Sequence, residues 1–215
     1  MGVRLVNVAF VPVKIPEELE NKVRRMPAEC ERISLPDCPP PRRVLDLGCG
    51  AGAFLVYATI AWDYPWVIGV DAHPWLCELA SENAPPGARV HLAAISSTET
   101  GEATVAVRGS ASAKVRIISP ADLPAAELVR LNIQGREGEF LDAYRYLDQV
   151  RWLYVDWHAE LHETIALQYK LLTSGFRRLR GVAYLPNRSS EIWARSRSVF
   201  DGRANRWVLP PEPAT

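Results

Sequence analysis

The sequence predicts an α/β fold built on a doubly wound parallel sheet, and three observations predict it. Short apolar runs alternate with helix-like segments from residue 42 onward. The first run, Arg43-Val-Leu-Asp-Leu47, passes straight into Gly48-Cys-Gly-Ala-Gly52 and then into a helix-like stretch from Ala53 to Trp62. The second, Val67-Ile-Gly-Val-Asp71, ends in a carboxylate 19 residues after Gly52. Strand, glycine turn and helix N-terminus in that order make the nucleotide-facing start of a βαβ unit. Repeated alternation of strand and helix argues for helices on both faces of a parallel sheet.

Taken in order, residues 1–41 form a leader that ends at Pro39-Pro-Pro41. Within it, Pro16 to Arg25 carries the signals of a helix: proline in the first turn, acids early and bases late. Such a leader could close over a site as a lid. Strands are expected near 43–47, 66–71, 89–94, 128–133 and 151–157, and helices near 52–62, 74–83, 136–147 and 159–174. Glu102–Val107 and Lys114–Ile118 alternate polar and apolar residues around Gly109-Ser-Ala-Ser112, the pattern of an inserted hairpin. A second hairpin is expected from Phe176–Pro186 and Glu191–Ser196, with Asn187–Ser190 as its turn. Residues 42–200 then form the ligand-binding domain and 201–215 a tail.

The bulk numbers suit one globular domain. The chain has 215 residues, 48% hydrophobic and 23% charged, with a formal net charge of zero. Val3–Val13 is apolar but too short to span a membrane, and it lacks a signal-peptide pattern. The four cysteines, 30, 38, 49 and 77, form no C-x-x-C pair and read as reduced thiols of a cytoplasmic protein. Charge is unevenly spread. Residues 170–215 hold nine Lys/Arg against three Asp/Glu, and residues 42–169 hold ten against sixteen. The basic end is either a solvated surface or a rim for an anionic partner.

Two details of the glycine turn turn it away from nicotinamide dinucleotides. Its spacing is G-x-G-x-G, and Asp46 sits inside the strand, where a carboxylate would repel a pyrophosphate. A ligand with an ammonium group would favour that carboxylate. S-adenosylmethionine carries an ammonium, a sulfonium and an adenosine, and no phosphate. Asp71, an acceptor-only group at the end of the second strand, suits two ribose hydroxyls. The expected cofactor residues are Asp46, Gly48, Cys49, Gly50, Gly52, Asp71 and Ala72, the backbone of Ala94 and Ile95 near the adenine, and Asn132.

The chain resembles class I S-adenosylmethionine-dependent methyltransferases at these residues, and over about 42–197 it is similar to the FkbM-type family. Besides the glycine turn, the resemblance rests on His91-Leu-Ala-Ala-Ile-Ser-Ser-Thr-Glu-Thr-Gly101, Arg130-Leu-Asn-Ile-Gln-Gly-Arg-Glu137, Leu153-Tyr-Val-Asp-Trp-His158 and Gly175-Phe176. It implies a Rossmann-like seven-stranded sheet closed by a C-terminal antiparallel hairpin. It also implies O-methylation of a hydroxyl on a small molecule or sugar. The family's Asp and Glu in the second of these stretches are Asn132 and Gln134 here. Amides keep the shape and the hydrogen bonds of the acids but lose the charge and the proton acceptor.

Methylation of an alcohol asks for a base near the nucleophile. Residues at the C-terminal strand ends face the ligand crevice. His158 is the expected base, with Asp156 orienting it. Gln134 and Glu137 are expected to touch the acceptor. His158 and His162 have a spacing that can hold a metal, but no metal is expected, because the intervening acid is misplaced for the metalloprotease helix. Two other readings stand beside methylation of a small hydroxyl acceptor. An RNA methyltransferase could use the arginines and aromatics of the C-terminal region, although nucleic acid is the less expected partner. A cofactor-binding partner subunit could have lost turnover with its two acids.

Overall fold

The computed structural model describes residues 2–8, 11–21, 39–63, 65–107, 111–158, 160–185, 188–195, 199–201 and 206–208. The chain opens with β1 (Val3–Val8) and β2 (Val11–Pro16), paired antiparallel with Val6 opposite Val13. Then come β3 (Arg43–Leu47), α1 (Ala53–Ala61), β4 (Trp66–Asp71), α2 (Pro74–Asn83), β5 (Arg89–Leu92) and β6 (Ala94–Ile95). A hairpin follows, β7 (Glu102–Ala106) and β8 (Ser112–Ile118), before β9 (Leu128–Leu131), α3 (Glu137–Ala143), β10 (Trp152–Trp157) and α4 (Leu161–Thr173). The last elements are β11 (Phe176–Leu185), β12 (Arg188–Arg195) and a small antiparallel ladder of β13 (Val199–Asp201) with β14 (Arg206–Val208).

Seven strands form the main sheet in the order β11-β12-β10-β9-β3-β4-β5. The five from β10 to β5 are parallel, and β12 and β11 close the edge antiparallel. The strand order reverses between β3 and β9, which opens a crevice at their C-terminal ends. Alternation along β3 sends Val44 to one face and Leu45 and Leu47 to the other. Helices α1 and α2 cover the first face, and α3 and α4 cover the second.

The leader departs from the expected helix. β2 runs through Pro16, a single 3-10 turn covers Glu17–Leu19, and helix begins only at residue 20. Residues 22–38 of the expected lid lie outside the described residues. The reason lies in α1, whose residues 53–59 are all buried. A helix that is apolar all round needs cover on its outer side. Val6, Val8, Val13 and Ile15 of the β1–β2 hairpin supply it. Asn83 pins the hairpin in place, accepting from Lys14 N at 2.8 Å and donating to the Ala51 carbonyl at 2.8 Å.

Three smaller differences bear on the site. The strand expected over 89–94 divides, and Ala94–Ile95 pairs with β8 of the inserted hairpin. The helix expected over 136–147 stops at Ala143, where Tyr144 stacks on Phe140 at 4.7 Å and donates its hydroxyl to the Pro124 carbonyl at 2.7 Å. Arg188 to Ser190, expected in a turn, belong to β12. Residues 186 and 187 lie outside the described residues. The expected boundary at 200 falls within β13. Among the described residues, no helix is long and apolar enough to cross a membrane.

Candidate functional site

The glycine turn lies at the reversal point because of Gly48. Its φ is +80°, and a Cβ built there would lie 2.0 Å from the Asn132 carbonyl oxygen. Only glycine lets the turn approach the segment after β9 this closely. Gly48 N and Cys49 N both donate to the Val70 carbonyl, at 2.7 and 3.1 Å. Asp71 is then clamped by two backbone donors, Gly50 N to Oδ2 and His73 N to Oδ1, each at 2.8 Å. Above this turn opens a cavity of about 750 Å³.

Of the sequence-expected residues, Gly48, Cys49, Gly50, Asp71, Ala72, Ala94, Ile95, Asn132 and Gln134 line the cavity. Five others do not. Gly52, with φ +80°, packs the start of α1 on α2, where a Cβ would meet Ala80 at 3.0 Å. Asp46, Asp156, His158 and Glu137 are all turned to protein partners instead.

Asp46 is fully buried, and its partner is Arg130. The parallel register of β3 and β9 sets the two side by side, and Arg130 Nη1 donates to Asp46 Oδ1 at 2.7 Å. Arg130 lines the cavity there, and Asp46, where the sequence predicted a ligand-facing carboxylate, does not. Burial pushes Asp46 above the usual carboxylate range, against the pull of Arg130. Burial also opposes the Arg130 charge, but Asp46 and Asp156 outweigh it and keep the guanidinium protonated. Asp156 does not orient His158. It is buried, accepts from the Ser190 hydroxyl, and sits 3.8 Å from Arg130 Nη2. A signal for Arg130 was present in the sequence: two opposite charges inside two otherwise apolar strands must pair with each other.

A chain of four polar side chains forms the other end. Gln134 Nε2 lies 3.3 Å from Asn132 Oδ1 and 3.2 Å from His158 Nε2. His158 Nδ1 lies 3.1 Å from Glu137 Oε1. Glu137, first residue of α3, is fully buried. Gln134 therefore stands between His158 and the cavity, which corrects the expectation that the imidazole itself meets the acceptor. The carboxylate that orients the imidazole is Glu137, which corrects the role given to Asp156. It also corrects the expectation that Glu137 touches the acceptor.

The inserted hairpin forms a wall the sequence reading did not assign to the site, with Thr104, Val105 and Ile117 lining the cavity. The loop that leads into it from β6 is latched to the start of α3. Glu139 Oε2 accepts from Ser96 Oγ and Ser97 N, each at 2.8 Å, while Arg136 binds both Glu139 and Glu99, the latter at 2.6 Å. Burial pushes Glu139 up, but Arg136, Ser97 N–H and Ser96 outweigh it and bring it to about 2. Cys49 and Cys77 are both buried. Burial raises the Cys49 thiol far above its usual value and takes Cys77 to about 12. Part of the basic C-terminal segment is structural. Arg178 pairs with buried Glu191 at 3.0 Å, and Arg195 donates to the carbonyls of Val150 and Ser174. No cluster of three metal-ligating side chains occurs among the described residues.

No family model matches the chain, and no curated protein matches it. Solved structures do. Precorrin-6y C5,15-methyltransferase from Geobacter metallireducens aligns at a TM-score of 0.52 and 16% identity, over 84% of this chain and 91% of that one. Magnesium protoporphyrin IX methyltransferase from Synechocystis, with bound S-adenosylmethionine, aligns at 0.50 and 18%, over 82% and 79%. The tRNA (uracil-54, C5)-methyltransferase of Pyrococcus abyssi, in complex with S-adenosyl-L-homocysteine, aligns at 0.50 and 15%, over 90% and 44%. At these identities the likeness is one of fold. The fold is the Rossmann-like fold of class I S-adenosylmethionine-dependent methyltransferases, closed by the antiparallel pair β12–β11.

Proposed function

We propose that this chain is an S-adenosylmethionine-dependent methyltransferase acting on a hydroxyl of a small molecule or sugar, as the FkbM-type resemblance implies. The observation that carries the cofactor reading is Asp71. Each of its oxygens accepts one backbone N–H, which fixes the carboxylate at the edge of the cavity. Each oxygen keeps a lone pair for a ribose hydroxyl. The fit is good at the ribose and changes at the ammonium, where Arg130 covers Asp46. When bound, the cofactor supplies a methyl group already activated on a sulfonium. Gly48 to Gly50 would border its methionine end, and Ala94 and Ile95 its adenine. The residues' own work is then alignment and exclusion of water, with Asn132 and Gln134 facing the acceptor.

A second reading, a cofactor-binding partner without turnover, is favoured by one observation. Glu137 is buried behind His158, so the segment after β9 presents amides and no carboxylate to the cavity. Two experiments separate the readings. Calorimetry should show S-adenosylhomocysteine binding and no NADH binding, and the reverse would end the cofactor assignment. Tritiated S-adenosylmethionine with fractionated lysate should then label small molecules. Label in RNA would move the acceptor to nucleic acid, and binding without label would favour the partner subunit.

A further inference from the structure

Gln134 is held in an unusual way. Its φ is +55°, a left-handed conformation rare outside glycine, and Gly135 follows at +97°. That backbone sets the amide on the cavity wall, between Asn132 and His158. An amide nitrogen only donates, so both hydrogens of Gln134 Nε2 are committed, one to Asn132 Oδ1 and one to His158 Nε2. His158 Nε2 must then present its lone pair, and the ring proton lies on Nδ1, facing Glu137 Oε1. Turning the Gln134 amide over would need a hydrogen on both ring nitrogens and a matching turn of Asn132. In the orientation seen, the ring needs only the one hydrogen that faces Glu137.

The consequence falls on the atoms left over. Among the described residues, no group donates to Gln134 Oε1 and none accepts from Asn132 Nδ2. Both residues line the cavity. We infer that Glu137 and His158 are positioning residues that lock this amide pair, with Asn132 donating and Gln134 accepting, as a reader for a neutral hydroxyl. A hydroxyl both accepts and donates, so one oxygen satisfies both amides. A carboxylate would leave Gln134 Oε1 without a donor, and a quaternary ammonium would leave both amides without a partner. An amide at 134 is also what the lock needs. It donates to a neutral imidazole and still shows an acceptor to the ligand, which a carboxylate does not do. The hydroxyl's role as methyl acceptor rests on the methyltransferase reading above; the lock itself does not.

The test uses the full chain labelled with ¹⁵N at histidine and saturated with S-adenosylhomocysteine. The imidazole ¹⁵N shifts should show His158 protonated at Nδ1 and bare at Nε2, and Glu137→Gln should change that tautomer. His158→Ala should leave S-adenosylhomocysteine affinity unchanged. It should slow label transfer, to the hydroxyl-bearing fraction that the wild type labels, by about ten- to a hundredfold. His158→Gln, which can accept from Gln134 and donate to Glu137, should restore most of the rate. A wild-type ring protonated at Nε2 would overturn the lock, as would a His158→Ala protein that transfers label at the wild-type rate. A wild type that neither binds S-adenosylhomocysteine nor labels anything would remove the methyltransferase reading instead, and the ring tautomer would then decide the lock alone.

Discussion

At one end of the cavity the backbone makes the contacts, and at the other the side chains make them. Around the glycine turn, backbone N–H groups of Gly48, Cys49, Gly50 and His73 reach the Val70 carbonyl and the Asp71 carboxylate. Asn132, Gln134, Glu137 and His158 instead meet side chain to side chain, across two loops and the start of α3. The first end depends on one side chain, the Asp71 carboxylate that the backbone clamps, and the second on four that hold one another. Between them lies Arg130, which belongs to the frame and yet forms cavity wall.

That middle position gives the largest expected effect. Arg130→Met leaves the buried Asp46 carboxyl without its partner and should cost about 3–5 kcal/mol in a denaturant titration. Adding Asp46→Leu should recover most of it, because a buried pair replaced by apolar groups is often neutral. If Arg130→Met were instead stable and bound S-adenosylmethionine more tightly, Asp46 would belong to the ligand and not to the frame.

At the backbone-built end, Asp71→Ala removes two charge-assisted acceptors for the ribose. S-adenosylhomocysteine affinity should fall by about 3 kcal/mol, on the order of a hundredfold, in calorimetry. An unchanged affinity would mean that the cofactor does not lie along the turn. At the side-chain-built end, Gln134→Gly suits the left-handed backbone and should raise thermal stability by up to about 1 kcal/mol, since that conformation is strained for a side-chain-bearing residue. Cofactor affinity should stay the same while label transfer slows. Loss of cofactor affinity in this variant would merge the two ends into one.

The smallest effect concerns the loop that leads into the hairpin wall. Glu139 has its pKa depressed in the folded state, from the ordinary 4.5 to about 2. Its contribution is therefore present above about 4.5 and is lost as pH falls from there toward about 2. Protection of the Ser97 amide, whose N–H Glu139 accepts, relative to its intrinsic exchange rate should fall as pH drops through that window. Equal protection at both ends of the window would show that Glu139 does not hold the loop.

What was legible in the sequence was local. The strand at 43–47, the glycine turn, the helix after it and Asp71 at the end of the next strand stand within one or two residues of where the spacing put them. A period of two, a glycine triplet and a helix start are written in neighbouring residues, and backbone sterics enforce them. The all-apolar run Ala53 to Ala61 even held a clue to a cover on its outer face, although not to which segment supplies it. Partnership between distant side chains was not legible. Asp46 and Arg130 are 84 residues apart, and the parallel register of β3 with β9 brings them together. Glu137 and His158 are 21 apart and meet only because α3 and the end of β10 lie on the same side of the sheet. By itself the sequence determined where the crevice opens and which backbone borders it. Only the tertiary structure decided which charges face the ligand, because a buried charge takes whichever partner the packing sets beside it.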